Sequence, residues 1–527
     1  PLLAISDADR DAVSLIYSGL LKASPEGKLI PDLAESWTIS EDGLTYDFIL
    51  KPNLTFHDGA PLTTDDIEFT VMKAIDPLIK SPKASSFAGV TVQKVDEKEI
   101  KFILKKPYAP FAENLTIGIL PQHIWSNIED DIFDVSTYNR TNPIGSGPYM
   151  VKKVTDSSDN LSDSYTLSSF GNYALGAPLI STVVLKFYKN QEDAVNAFES
   201  GDIDNLGGVS SEIAATIREK DNDDIIELQT PLPRTFALFF NQNTAPVLLR
   251  KEVRKALDMS VDRDALIKTV LNQYGSPIFS PIPSPIALSS AATSTAASSS
   301  AATAAAVASS SPVLSMSIAD IEGAKKLLEA NGWALAADGI YERKADTAGT
   351  NPSPALRLAF SITTSNSPEL KKTAETLKDQ WKAIGADINV EVYEGSDLTQ
   401  KIIRPRKYSA LLFGQVVGRD LDLYPFWHSS QRNDPGLNIA LYANVNADKA
   451  IELARSTNDP AKKVVAQSDF VRELHNDIPA VFLFSPNYTY LEHRKIEGQE
   501  LQNINDSSER FMNIHAWYLD TKYKWNF

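Results

Sequence analysis

The sequence predicts an α/β protein built from more than one structural unit. Three observations carry that reading. The chain has 527 residues, far beyond the roughly 100–200 of a typical domain. Short runs of alternating apolar residues give way to helical spacing and return again. Capping residues mark the helix starts between them. Hydrophobic residues make up 43% of the chain and charged residues 23%, the balance of a folded globular protein rather than a disordered one.

The elements follow in order. Tyr46, Phe48 and Leu50 alternate within 44–50 and predict a strand. Thr63, with Asp66 three residues on and Ile67, Val71 and Ile75 on one face, predicts a capped helix ending near Pro77. Asn190 with Asp193, Asp262 ahead of Leu266 and Val270, Ser317 with Asp320 ahead of Asn331-Gly332, and Asp459-Pro460 each open a further helix. Leu356, Leu358 and Phe360 form an alternating run. Ser367-Pro368 then opens a helix with Leu370, Ala374, Leu377, Trp381 and Ile384 at helical spacing, closed by Gly385. Ile388, Val390 and Val392 alternate again, which makes a βαβ unit. Residues 287–311 stand apart: from Ser289 to Ala306 every residue is Ala, Ser or Thr. Such a stretch supplies no apolar face and reads as a mobile surface insertion.

Composition excludes several functions. The 68 acidic and 51 basic residues leave a net charge of −17, which repels a phosphate backbone, so no nucleic-acid partner is expected. There is no cysteine, hence no disulfide, thiol nucleophile or thiolate metal site. No run reaches the about 18 apolar residues that cross a bilayer. Pro1 opens the chain without an initiator methionine or leader, as a processed start would. Neither a nucleophile elbow nor a zinc helix, P-loop or EF-hand loop occurs. Gly145-Ser146-Gly147-Pro148 lacks the Lys-Ser/Thr of a phosphate cradle and reads as a turn where chains pack closely. His57 precedes the turn residues Asp58-Gly59 and reads as scaffold. No catalytic residue, cofactor or metal is expected.

An ordered set of motifs spans the chain: Leu15-Ile16-Tyr17-Ser18-Gly19-Leu20-Leu21, Leu29-Ile30-Pro31-Asp32-Leu33-Ala34-Glu35-Ser36-Trp37, Phe56-His57-Asp58-Gly59, Asn142 to Tyr149, Ser200-Gly201-Asp202-Ile203-Asp204, and Val253-Arg254-Lys255-Ala256-Leu257. Together they resemble the oligopeptide-, dipeptide- and nickel-binding proteins that serve ABC importers. The resemblance implies a two-lobed periplasmic-binding-protein-like fold with a hinged interlobe cleft. Lobe I would be residues 1–243 and 489–527, including an extra subdomain at about 37–143, and lobe II residues 244–488. It implies an extracytoplasmic, periplasmic or lipid-anchored monomer that captures oligopeptides and delivers them to permease subunits. The alternative solute on the same fold is a nickel chelate, oligosaccharide or other small molecule. A peptide hydrolase or sensor is the reading from a different class.

The resemblance also implies the ligand contacts. Segments matching the family's cleft hold Tyr17, Ser18 and Gly19, then Arg234 and Asn241, then the stretch from Tyr408 to Trp427. In the last, Phe413, Gly414 and Gln415 end a strand, Arg419, Asp420 and Asp422 form a polar loop, and Trp427 follows. The family carries Gly-Trp-x-x-Asp and then Asp-Pro-Asp here. This chain departs from it: Gln415 stands for the tryptophan, Leu421 for the proline, and Val417 where peptide binders place the carboxylate that receives a ligand amino terminus. Asp420 or Asp422 would take that role, or the ligand lacks a free amine. Arg404 and Arg406, with Arg419 and Arg234, are the candidates for a ligand carboxylate.

Overall fold

Side-chain caps fix where the helices begin. Thr63 accepts from the N–H of Asp65 at 3.3 Å and Asp66 returns a bond to the Thr63 N–H at 2.9 Å, the reciprocal arrangement that satisfies two helix-end donors. A computed structural model describes residues 1–156, 162–220, 225–283, 319–345, 354–493 and 496–519. The Ala/Ser/Thr stretch at 287–311 and Ser317 lie outside them. The chain divides into two compact units, Pro1–Thr230 with Ser456–Asn458 and Tyr488–Phe527, and Pro231–Arg455 with Asp459–Asn487.

In the first unit, helix α1 (Asp7–Ile16) runs into strands β1 (Leu21–Ala23) and β2 (Leu29–Pro31), which pair antiparallel. A four-stranded antiparallel sheet follows, made of β3 (Ala34–Ile39), β4 (Thr45–Leu50), β5 (Thr91–Lys94) and β6 (Glu99–Ile103) in the order β3-β4-β6-β5, with helix α2 (Thr64–Ile75) inserted. The alternation read at 44–50 is the burial pattern of β4: Tyr46 and Phe48 are fully buried and face Phe102 and Ile100. A three-stranded sheet of β7 (Tyr149–Asp156), β8 (Ser162–Ser169) and β9 (Thr182–Lys186) comes next. Helices α3 (Gln191–Glu199), capped by Asn190, and α4 (Ser211–Glu219) flank β10 (Asn205–Gly207).

The Gly145 turn shows why its sequence is glycine-rich. A Cβ at Gly145 would lie 2.0 Å from the Ile16 carbonyl oxygen, and one at Gly147 would lie 2.6 Å from the Ile16 carbonyl carbon. Only glycine lets the two backbones pass. His57 pins the turn: its N–H donates to the Gly145 carbonyl at 2.8 Å, its Nδ1 accepts the Gly145 N–H at 3.3 Å, and its Nε2 meets the Gly147 carbonyl at 3.1 Å. Because an amide can only donate, the ring is neutral with its proton on Nε2. Burial lowers the His57 pKa to about 4, against the Gly147 carbonyl and Asp58, which raise it.

The second unit is organised by β11 (Arg234–Phe240). Helices α5 (Lys251–Met259) and α6 (Arg263–Leu271) and strand β12 (Gly275–Pro277) follow it, then α7 (Ile321–Ala330), capped by Asp320. A small three-stranded sheet of Trp333–Leu335, Tyr341–Arg343 and Leu356–Arg357 leads to β13 (Ala359–Ser365), α8 (Pro368–Lys382), β14 (Asp387–Tyr393) and β15 (Ala410–Val416). Short helix α9 (Tyr424–Trp427), α10 (Val445–Ser456), α11 (Pro460–Asp477) and the part of β16 (Ala480–His493) up to Asn487 complete it. The strands lie in the order β16-β11-β15-β13-β14. β13 and β14 pair in parallel across α8, so the expected βαβ unit is present. Within the first unit, Asn205–Gly207 pairs with Tyr490–Glu492 of β16. Arg234–Phe240, read from the sequence with lobe I, makes its strand pairs inside the second unit.

Alternate residues of β11 feed two cores: Leu238 and Phe240 join α5, α6 and α8, while Ala237 and Phe239 join Trp427, Phe470 and Phe482. Arg254 secures α5 from within. It is 5% exposed and donates to the carbonyls of Leu248 at 2.7 Å, Asp477 at 2.7 Å and Ile478 at 2.9 Å. This explains an arginine on the buried face of α5, beside Val253, Ala256 and Leu257. Replacing it strands three carbonyls, each worth about 1–3 kcal/mol when buried without a donor. We expect Arg254→Met to lower the urea midpoint of the second unit by an amount equivalent to roughly 3 kcal/mol or more; an unchanged midpoint contradicts the assignment.

His57 gives a pH dependence of definite sign. Its folded pKa lies below the ordinary 6.5, so between those values the unfolded chain binds the proton more readily. The stabilisation is complete above pH 6.5 and is lost as pH falls toward about 4. Thermal melts across this range should show a steeper loss for wild type than for His57→Gln; parallel curves contradict the neutral-ring bridge.

Candidate ligand-binding site

Strand β15 delivers the second unit's candidate residues. Leu411 and Phe413 pack on the core around Trp427, and Ala410 and Leu412 on the opposite one. The next residue on the Phe413 side is Gln415, opposite Thr235 of β11. Gln415 is 4% exposed, yet neither its Oε1 nor its Nε2 has a partner among the described residues. Buried amides left this way cost about 1–3 kcal/mol per group. Other unbonded buried atoms belong to this end of the sheet or to helices joined to it: Nε of Arg234, Oδ2 of Asp420, Nε1 of Trp427 and Nε2 of Gln467.

Beyond the strand the chain turns through Gly418 at φ 69° and Leu421 at φ 52°. Proline is fixed near φ −65° and cannot occupy that conformation, which accounts for Leu421 where the family pattern has proline. Val417 is buried in the core and its N–H donates to the Pro233 carbonyl at 2.9 Å. Both loop acids already hold cations. Asp420 receives Lys463 Nζ at 2.7 Å. Asp422 lies 3.4 Å from Arg455 Nε and accepts the Tyr424 N–H at 3.2 Å, and the Arg455 guanidinium stacks 4.4 Å from the Tyr424 ring centre. Burial pushes the Asp422 carboxyl up, with Arg455 opposing. Arg419 is half-buried in the same loop.

The remaining candidates are not brought to this point. Arg234 pairs with Val416 and Phe240 with Ala410, so Asn241 and the residues before Ala410 sit six residues away along the strands, about 20 Å. There Asn241 is buried and donates to the Arg406 carbonyl at 3.0 Å. The Arg406 guanidinium donates to the carbonyls of Gly436 at 2.6 Å, Ile403 at 2.8 Å and Arg432 at 3.1 Å. Both are spent on holding the loop. Arg404 is exposed and lies 3.8 Å from Asp434. Trp427 is fully buried, with Phe482, Phe239, Phe470 and Tyr442 rings around it. Phe413 packs on the same core, and Gly414 makes room for the Phe236 ring, which a Cβ would meet at 2.8 Å.

In the first unit, Tyr17, Ser18 and Gly19 leave the end of α1. Tyr17 and Gly19 line a cavity of about 260 Å³ with Lys22 and Asp32. Tyr17 also borders a second one of about 520 Å³, walled by Ile16, Tyr165 and Phe187. Ser18 is buried and its hydroxyl meets the Ser146 carbonyl at 3.4 Å. The sequence reading missed Lys463, Arg455, Gln467 and Asp32. The signal for the first two is chemical: two acids beside a buried strand end require cations. Among the described residues no group of three or more His, Cys, Asp or Glu is placed to hold a metal ion, and no helix is long and apolar enough to cross a membrane.

Comparison with known proteins adds the family. The family described as bacterial extracellular solute-binding proteins, family 5 middle, matches residues 28–436. The oligopeptide-binding protein AppA of Bacillus subtilis is 25% identical over 533 residues, covering 98% of this chain and 89% of that protein. Its structure in complex with a nonapeptide aligns with TM-score 0.68 at 24% identity, over 99% of this chain and 96% of that one. The nickel-binding periplasmic protein of Escherichia coli is 26% identical over 507 residues, 94% of this chain and 87% of that protein. The structure of HbpA2 from Haemophilus parasuis aligns with TM-score 0.79 at 19% identity, over 99% of this chain and 97% of that one. The architecture is thus the two-lobed α/β fold of solute-binding proteins, and these relatives are binding proteins. The chain belongs to the bacterial extracellular solute-binding proteins of family 5.

Proposed function

We propose that this chain is the extracytoplasmic receptor of an ABC importer and that its solutes are oligopeptides, handed on to permease subunits without chemical change. The observation that carries the reading is the buried Gln415 amide, whose NH₂ and carbonyl groups have no partner among the described residues. A peptide main chain supplies both complements at every residue, so such a group binds peptides without reading their sequence. Chain-long likeness to AppA supports it. The candidate contacts in the second unit are Gln415, Arg234 and the Arg419 to Asp422 loop, and in the first Tyr17, Ser18 and Gly19.

A second reading, a receptor for a nickel chelate, has one observation in its favour: the likeness to the E. coli nickel-binding protein over nearly the whole chain. A chelate brings its own ligands, so it needs no metal cluster from the protein. Calorimetric titration separates the two. We expect a synthetic pool of lysine-free tri- to nonapeptides to bind and nickel–histidine to give no heat. Gln415→Leu should weaken the peptides about tenfold, the loss of roughly one hydrogen-bonded group, while raising the melting temperature of the free protein, because the unmatched buried amide is gone. Heat from nickel–histidine alone contradicts the peptide reading.

A further inference from the structure

Apart from the candidate ligand contacts, the second unit brings a hydroxyl, an imidazole and a carboxylate into one line. Helix α9 ends at Trp427, and His428 opens a single 3₁₀ turn over Ser429–Gln431. The His428 Nδ1 accepts the Ser430 N–H at 3.1 Å and lies 2.7 Å from the Ser430 Oγ. At the other edge of the ring, Nε2 lies 3.2 Å from a carboxylate oxygen of Glu452 on α10. An amide N–H can only donate, so Nδ1 presents its lone pair and Nε2 carries the proton that Glu452 accepts. The lone pair also faces the serine hydroxyl. This is the tautomer that a general base requires, oriented by a third group.

Packing holds the ring in that pose. His428 is 8% exposed, and the Tyr424 ring stacks on it with centres 4.1 Å apart and planes 15° from parallel. Asp448 stands 4.0 Å from Nε2, so a second carboxylate favours the imidazolium once the ring gains a proton. Ser430, by contrast, is exposed. The Gln431 Nε2 donates to its oxygen at 3.0 Å, a contact that favours negative charge there. A histidine that only capped the turn would need the Ser430 N–H alone. The hydroxyl at 2.7 Å and a carboxylate brought from a separate helix go beyond that need. Ser429 supplies an internal comparison, since its hydroxyl donates to Asp448 at 2.5 Å and so faces an acid rather than an imidazole.

We propose that Ser430 is a nucleophile toward small, unhindered acyl esters, with His428 as its general base and Glu452 as the positioning residue behind the base. The Oγ attacks the acyl carbon while its proton passes to Nδ1. The bond to the leaving oxygen then breaks, and that oxygen takes the proton. Water, deprotonated by the same nitrogen, cleaves the acyl-serine and releases the acid. Glu452 keeps the tautomer and balances the imidazolium charge during each transfer. The proposal does not depend on which solute the receptor carries.

Labelling with a fluorophosphonate, located by peptide mass spectrometry, tests it together with turnover of p-nitrophenyl acetate. Wild type should label Ser430 at least about a hundredfold faster than Ser429. Ser430→Ala should lose the nitrophenol release, and His428→Asn, which keeps an N-cap acceptor, should lose the labelling. Glu452→Gln should lower kcat at least about tenfold with KM unchanged. An unlabelled Ser430, or equal labelling of the two serines, overturns the proposal. So does a Ser430→Ala protein that releases nitrophenol at the wild-type rate. An unchanged kcat in Glu452→Gln overturns the three-residue assignment.

Discussion

The second unit depends on a strand that must be apolar on both faces. β11 reads Arg-Thr-Phe-Ala-Leu-Phe-Phe, and Ala237 to Phe240 are fully buried because each alternate pair belongs to a different core. Strands covered on both sides carry continuous apolar runs rather than alternation. β15 and β16 flank β11, and in β11 and β15 polarity enters only near the strand ends. Arg234 and Gln415 mark one such end and Asn241 the other.

The two ends have been used differently. At the Asn241 end polar groups are consumed by the protein: Asn241 and Arg406 satisfy loop carbonyls, much as Arg254 does beneath α5. At the Gln415 end they are left open, with two amide atoms and one Asp420 oxygen unbonded. Folding a satisfied polar network is nearly neutral, whereas leaving donors and acceptors empty costs stability. In the proposed receptor, a ligand's main chain would complete the bonding there.

Much of the fold was legible because local chemistry sets it. Thr63, Asn190, Asp262 and Asp459 cap the helices they were expected to open, and the strand, helix and strand from Ala359 to Tyr393 form as their periodicities require. Of the pair Ser317 and Asp320, Asp320 is the cap that accepts the Gly323 N–H, and Ser317 lies outside the described residues. Site residues were harder. Residue type shows that Arg406 is cationic, but not that its guanidinium faces three carbonyls. Trp427 is equally apt for a pocket wall or a core, and only packing distinguishes them.

The central claim is that these open groups serve peptides. The most direct measurement is the identity of what the protein carries: purify it without denaturation, release bound material with acid, and sequence it by mass spectrometry. The account predicts a mixture of short peptides of varied sequence, as binding through main-chain amides requires. A single non-peptide species, whether a sugar or a nickel chelate, would contradict it.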